Sequence, residues 1–92
     1  MNIDLTNLAI ETALCSNWKQ AIKVNKEILK HNKCDIEALL RLAHALEVIG
    51  QPTLAKRFNN KVLKIDKFNP IAKRNILRLK TTKSRKNSRN QI

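Results

Sequence analysis

Histidine and cysteine side chains are the first candidates for chemistry, and the chain has two of each. His31 falls near the end of a predicted helix, where the helix dipole favours a cation. His44 shares one helix face with Leu40 and Val48, at spacings of four. No Ser–His–Asp order, His-x3-His pair, Gly-rich loop or carboxylate pair accompanies them. The residues therefore predict no catalytic site, metal site or cofactor, and we expect a protein that is not an enzyme.

The two cysteines are predicted to be free thiols. Cys15 and Cys34 flank a predicted helix of about 14 residues, which separates them by about 20 Å. A disulfide needs Cα atoms within about 7 Å of each other. Residues 1–4 lack the basic start of a signal peptide, and no apolar run approaches the length of a membrane span. These features predict a cytoplasmic protein with no membrane partner.

A basic C-terminal segment offers a different kind of chemistry. Residues 73–92 carry 8 Lys and Arg and no acid, whereas residues 1–72 carry 11 Lys and Arg and all 7 acids. Apolar residues stop after residue 80 except for Ile92, so residues 81–92 are predicted to form a disordered basic tail. Phosphate contacts need charge and donors but no fixed fold. The candidate nucleic-acid contacts are Lys80, Lys83, Arg85, Lys86 and Arg89.

The elements that must position any site are predicted to be helices. One Gly and two Pro in 92 residues are too few for a turn-rich all-β fold. Apolar residues recur instead at the spacing of one helix face. This pattern predicts five helices, at about 3–15, 18–31, 36–49, 52–65 and 70–80.

Residues typical of helix ends stand between these segments. Asn17, Asp35 and Asn69 are placed to cap the helices that follow them. Gly50 suits the position just after a helix, and Pro52 suits the first turn of the next one. The pattern therefore predicts short turns between consecutive helices.

The sequence also repeats itself along the chain. The period is about 34 residues, a length at which helix hairpins recur in one class of repeat protein. The identical pairs are Leu5 and Leu39, Leu8 and Leu42, Ala9 and Ala43, Ala21 and Ala55, Asn25 and Asn59, Leu29 and Leu63, Lys30 and Lys64, and Lys33 and Lys67.

With this register the chain resembles the tetratricopeptide repeat (TPR) family. The resemblance is carried by Leu39-x2-Leu42-Ala43-x2-Leu46, Gly50, Ala55, Val62 and Asp66, and by the matching residues of the first unit. It implies an all-α fold, a right-handed α-solenoid of antiparallel helix hairpins. The repeat domain would span 1–80, with repeat 1 at about 2–35, repeat 2 at about 36–69 and a capping helix at about 70–80. Asn25 and Asn59 depart from the family pattern, which has an aromatic residue there.

The predicted fifth helix carries Lys73 and Lys80 where the second unit has Leu39 and Leu46. A buried Lys without a partner is costly, so this flank is expected to face solvent and to end the solenoid. Two repeats and a cap are few for a repeat protein. The sequence therefore favours either a marginal monomer or self-association through the open N-terminal edge.

The family resemblance also implies a concave groove along the first helix of each hairpin. Arg would supply a fork for carboxylates and Asn would bond a peptide backbone. Thr6 and Ile10 stand where family members that clamp chaperone tails need Lys and Asn, so that ligand is disfavoured. Trp18 is expected to pack at the hairpin turn against the first helix rather than to act as an exposed anchor. The candidate groove residues are Asn7, Leu40, Arg41, His44, Val48, Arg74, Asn75 and Arg78.

Two functions follow from these surfaces. The first is a small adaptor or scaffold module that binds a protein or peptide partner, with acidic groups, in the groove. The alternative is an RNA- or ribosome-associated protein that binds phosphates through its basic tail.

Overall fold

The computed structural model describes the backbone of residues 4–91 and the side chains of residues 4–80. Five helices make up this part of the chain, and no strand occurs in it. The predicted all-α class and the order of the five helices are therefore confirmed. The helices are α1 (Leu5–Leu14), α2 (Trp18–His31), α3 (Ile36–Val48), α4 (Pro52–Ile65) and α5 (Pro70–Gln91).

Side-chain caps explain where most of these helices begin. The first turn of a helix leaves backbone N–H groups without partners, and a preceding side-chain oxygen can accept from one of them. Asn17, Asp35 and Asn69 accept from backbone N–H groups of α2, α3 and α5, as predicted. Asp4 caps α1 in the same way. Pro52 occupies the first turn of α4.

Helices α1 and α3 end in the same type of turn, at equivalent positions of the two sequence units. Gly50 lies just after α3 with a φ of +89°, and Ser16 lies just after α1 with a φ of 58°. The N–H of Asn17 bonds the carbonyl of Thr12 at 2.8 Å, and the N–H of Gln51 bonds that of Leu46 at the same distance. In each turn the donor is the second residue after the C-cap, and the acceptor lies five residues earlier in the helix. This hydrogen bond is the mark of a Schellman motif.

Small side chains let the helices approach closely. Ala21 and Ala55 are buried early in α2 and α4, and Ala9 and Ala43 are buried in α1 and α3. Each helix packs against the next one along the chain, and α1 also contacts α3. The core between the helices is completed by larger apolar residues, chiefly Leu39, Leu42, Leu46 and Val62.

The N-terminal end of the helix array differs from its middle. Helix α3 buries Ala38 and Ala45, whereas Asp4 and Glu11, at the matching positions of the first unit, are exposed. Acidic side chains therefore give this end of the helix array a polar, exposed face.

Helix α5 buries one face and leaves the other uncovered. Ala72 and Leu79 are buried, while Lys73 and Lys80 are exposed, as predicted for the closing helix. The helix continues to Gln91, so its predicted end at residue 80 is wrong. No Gly or Pro follows residue 80 to stop the helix. The backbone of residues 81–91 is thus helical where the sequence predicted a disordered basic tail, and phosphate binding by its basic side chains, which lie outside the described side chains, stays a prediction.

Candidate functional site

Helices α3 and α5 line a groove with a volume of about 580 Å³. Six of the eight predicted groove residues line it, together with two residues that the sequence analysis did not assign, Glu47 and Ile71. The predicted six are Leu40, His44, Val48, Arg74, Asn75 and Arg78.

Helical spacing explains why these side chains converge. Leu40, His44 and Val48 follow one another at four-residue intervals on α3, and Arg74 and Arg78 do so on α5. Exposed apolar side chains form part of the groove surface, since Val48 is 47% exposed and Ile71 is 44% exposed. The groove therefore presents apolar surface beside two guanidinium groups.

One of those guanidinium groups already has an acidic partner within the groove. Arg78 donates through Nε to Glu47 Oε2 at 3.2 Å, and through Nη2 to Glu47 Oε1. It also donates through Nη1 to Asn75 Oδ1 at 3.1 Å. This fork joins α3 to α5 and partly neutralises Arg78. Glu47 was not among the predicted groove residues, because those followed from the family register alone.

Arg41 makes its contact inside the fold. Its Nε donates a 2.9 Å hydrogen bond to Oδ1 of Asn25, and Asn25 in turn donates to the carbonyl of Ala21 at 2.8 Å. Asn25 is completely buried. Arg41 is absent from the groove lining, and its Nη2 is buried without a hydrogen-bond partner among the described atoms. Its main role is therefore to satisfy a buried amide.

The second unit contains the equivalent arrangement. Asn75 Nδ2 donates to Asn59 Oδ1 at 3.1 Å, and Asn59 donates to the carbonyl of Ala55 at 2.9 Å. Asn59 is 1% exposed. Asn75 thus lines the groove and also holds a buried amide, which leaves it less free to bond a peptide backbone than the sequence suggested.

Asn7 has a local role at the start of α1. Its side-chain amide donates to Asp4 Oδ2 at 2.8 Å, while its backbone N–H bonds Asp4 Oδ1. It is not among the residues that line the groove between α3 and α5. The eight predicted residues therefore divide into six at one groove, Asn7 at a helix cap, and Arg41 at a buried amide.

Trp18 reaches the groove through His44. Their rings meet edge to face, with centroids 5.3 Å apart and an angle of 77° between the planes. Edge-to-face contact is a favoured geometry for aromatic rings. The predicted partner of Trp18 was the first helix, whereas the ring contact is with α3. The indole therefore supports the orientation of a groove side chain.

The remaining candidates for chemistry lie apart from one another. Cys15 and Cys34 are exposed free thiols, as predicted. His31 Nε2 lies 3.6 Å from Oε2 of Glu27, which is one turn earlier on α2. Within the described part of the chain, no three His, Cys, Asp or Glu side chains are grouped so that they could hold a metal ion. The described helices also include none that is both long and apolar enough to cross a membrane.

Comparison with protein-family models, curated proteins and solved structures finds no match to this chain.

Proposed function

We propose that this chain is a TPR-like module that binds a segment of a partner protein in the groove between α3 and α5. In this proposal two repeats form a right-handed solenoid and α5 closes it. The recurrence of one hydrogen-bonded chain, through Asn25 and through Asn59, supports a true structural repeat. The matching turns at Ser16 and Gly50 support it as well.

The observation that carries the binding proposal is the uncovered apolar surface of the groove. Val48 and Ile71 are nearly half exposed, and Leu40 lines the same surface. Burial of such surface supplies most of the affinity in peptide recognition, with a few polar groups that orient the ligand. The partner segment is therefore expected to insert apolar side chains here.

Arg74 gives the groove its preference for an acidic partner. It is exposed, and the described residues include no ion-pair partner for it. Arg78 is less available, since Glu47 occupies part of its guanidinium. A guanidinium binds carboxylate in a two-bond fork, so a carboxylate next to the apolar anchors is the matching ligand group. The module would serve as an adaptor, and its two exposed free thiols suit a reducing cytoplasm.

A peptide-display selection tests this proposal. The full chain is used to select from random peptides, and the enriched peptides are then measured against Val48→Lys, Arg74→Glu and Lys73→Glu. Lys73 is the matched control, because it is the exposed neighbour of Arg74 and does not line the groove. Enriched peptides should combine apolar and acidic residues, and they should lose affinity for the first two variants but keep it for the third.

Two results would contradict binding in the groove between α3 and α5. If Lys73→Glu weakens binding as much as Arg74→Glu does, general charge attraction explains the result. If Val48→Lys binds the selected peptides as well as the natural chain, the groove is not their site.

A further inference from the structure

Basic residues are concentrated on two of the helices. Together α2 and α4 carry eight Lys and Arg and one acid, Glu27. By contrast, α1 and α3 carry one Arg and three Glu. Because helices of the two kinds alternate along the chain, the charges are divided by the packing and not by a boundary in the sequence. A surface built from α2 and α4 is therefore strongly positive.

A furrow runs between α2 and α4 on this surface, with a volume of about 530 Å³. Lys26, Lys30, Lys33 and Lys61 surround it, and its remaining lining is Phe58 with three leucines. A second depression begins at Lys61 and continues along α4 past Lys56, Arg57 and Lys64. No acidic residue lines either depression in the described part of the chain. We name this continuous surface, from Lys26 to Lys64, the basic furrow.

The cations of the basic furrow are largely uncompensated. Lys30 Nζ lies 3.3 Å from Glu27 Oε1. Because this ion pair is exposed to water, it contributes little free energy and compensates little of the charge. Lys61 sits 5.0 Å above the ring of Phe58, which places a positive charge beside an aromatic surface. Lys26, Arg57 and Lys64 have no ion pair among the described residues. The furrow is therefore suited to a ligand that carries several negative charges.

We propose that the basic furrow binds a single-stranded nucleic acid. Proteins that hold single strands combine cations along the backbone with apolar or aromatic surface against the bases. The lysines around the furrow would contact phosphates, and Phe58, which is half-buried, would contact a base. This site shares no lining residue with the groove between α3 and α5, and the proposal does not use the basic tail.

The lining of the furrow favours a nucleic acid over an acidic peptide. An extended peptide has backbone N–H groups that need acceptors. Between α2 and α4 the basic furrow is lined by Lys, Leu and Phe side chains, which supply cations and apolar surface but no acceptor. Along α4 only Thr53 and Asn60 add acceptor oxygens among seven lining residues. Phosphates are acceptors only, so lysine ammonium groups satisfy them without help.

A titration with labelled oligouridine tests the proposal on the full chain. Lys61→Gln with Lys64→Gln removes two furrow cations, and the flank variant, Lys67→Gln with Lys73→Gln, removes two exposed cations near the start of α5 that do not line the furrow. Log affinity falls as log salt rises, by about 0.7 per phosphate contact on a single strand. Loss of two contacts in the furrow variant should therefore make this slope shallower by about 1.4. The flank variant should leave the slope unchanged. A third variant, Lys83, Arg85, Lys86 and Arg89 each to Gln, measures the tail, and binding through the furrow should survive it.

Three results would overturn the proposal. The first is an equal loss of slope in the furrow and flank variants, which would indicate charge attraction without a site. The second is loss of all oligouridine binding in the tail variant. The third is equal affinity for polyglutamate of matched charge, which would indicate an acidic protein partner.

Phe58→Leu tests the contact with bases and keeps the packed volume nearly constant. It should weaken oligouridine about fivefold, because stacking on an aromatic ring is worth at least about 1 kcal/mol per base. A thermal unfolding curve checks that the variant is folded. Unchanged affinity in a folded Phe58→Leu variant would contradict a single-stranded ligand in the furrow.

Discussion

Arg41 donates a 2.9 Å hydrogen bond through Nε to Oδ1 of Asn25, an amide side chain that no solvent reaches. An equivalent bond recurs in the second unit between Asn75 and Asn59, at 3.1 Å. Buried amides must find partners, because a lost partner costs the full desolvation of the group. Arg41 and Asn75, two of the predicted ligand contacts, thus join α3 to α2 and α5 to α4.

Removal of the buried amide should destabilise the fold. We expect Asn25→Ala to lower the free energy of unfolding by about 2–3 kcal/mol, since it leaves Arg41 without its partner and opens a small cavity. Urea unfolding measures the loss. Asn60→Ala is the control, because Asn60 is exposed and should change stability by no more than about 0.5 kcal/mol. Equal stability of the two variants would show that the buried bond contributes little.

Substitutions at Gly50 and Ser16, the two turn positions with positive φ, should change the stability of the fold in opposite directions. Gly50→Ala should cost about 1 kcal/mol, because its φ of +89° strains a residue with a Cβ although no atom lies within 4 Å of the added carbon. Ser16→Gly should stabilise the chain by a comparable amount, since Ser16 already adopts a φ of 58°. Thermal unfolding of both variants measures the effect, and a stabilising Gly50→Ala would contradict the turn geometry.

Neutralising Glu47 should strengthen binding of an acidic peptide in the groove. Glu47→Gln replaces the ion pair with Arg78 by a weaker neutral hydrogen bond, and it removes a negative charge that would repel a ligand carboxylate in the groove. We expect an increase in affinity of about twofold to fivefold, as measured by fluorescence anisotropy. Glu37→Gln is the control, since it removes the same charge from an exposed α3 residue outside the groove lining. An equal gain in both variants would point to net charge alone.

Trp18 should report which of the two proposed sites is occupied. It is the only Trp in the chain, and its ring contacts the groove residue His44. A peptide in the groove should change the Trp18 emission, whereas oligouridine in the basic furrow should leave it unchanged. The His44→Ala variant should lose most of the peptide-induced change. An emission change with oligouridine alone would contradict the separation of the two sites.

The local organisation of this protein could be predicted from its sequence. Caps at Asn17, Asp35 and Asn69, and the stop at Gly50, set the starts and ends of the helices. Such signals act over three or four residues, so they need no tertiary context. The convergence of six groove residues was predictable too, because they follow helical spacing within the register of the sequence repeat.

The tertiary structure decided which polar groups are free to bind a ligand. Nothing local to Arg41 predicts its bond to Asn25, and nothing local to Arg78 predicts its fork to Glu47, since both partners lie on another helix. The division of charge between the helices, which creates the basic furrow, likewise depends on how α2 and α4 pack. Side chains far apart in the chain compete for the same hydrogen bonds and the same space, and only their packing resolves that competition.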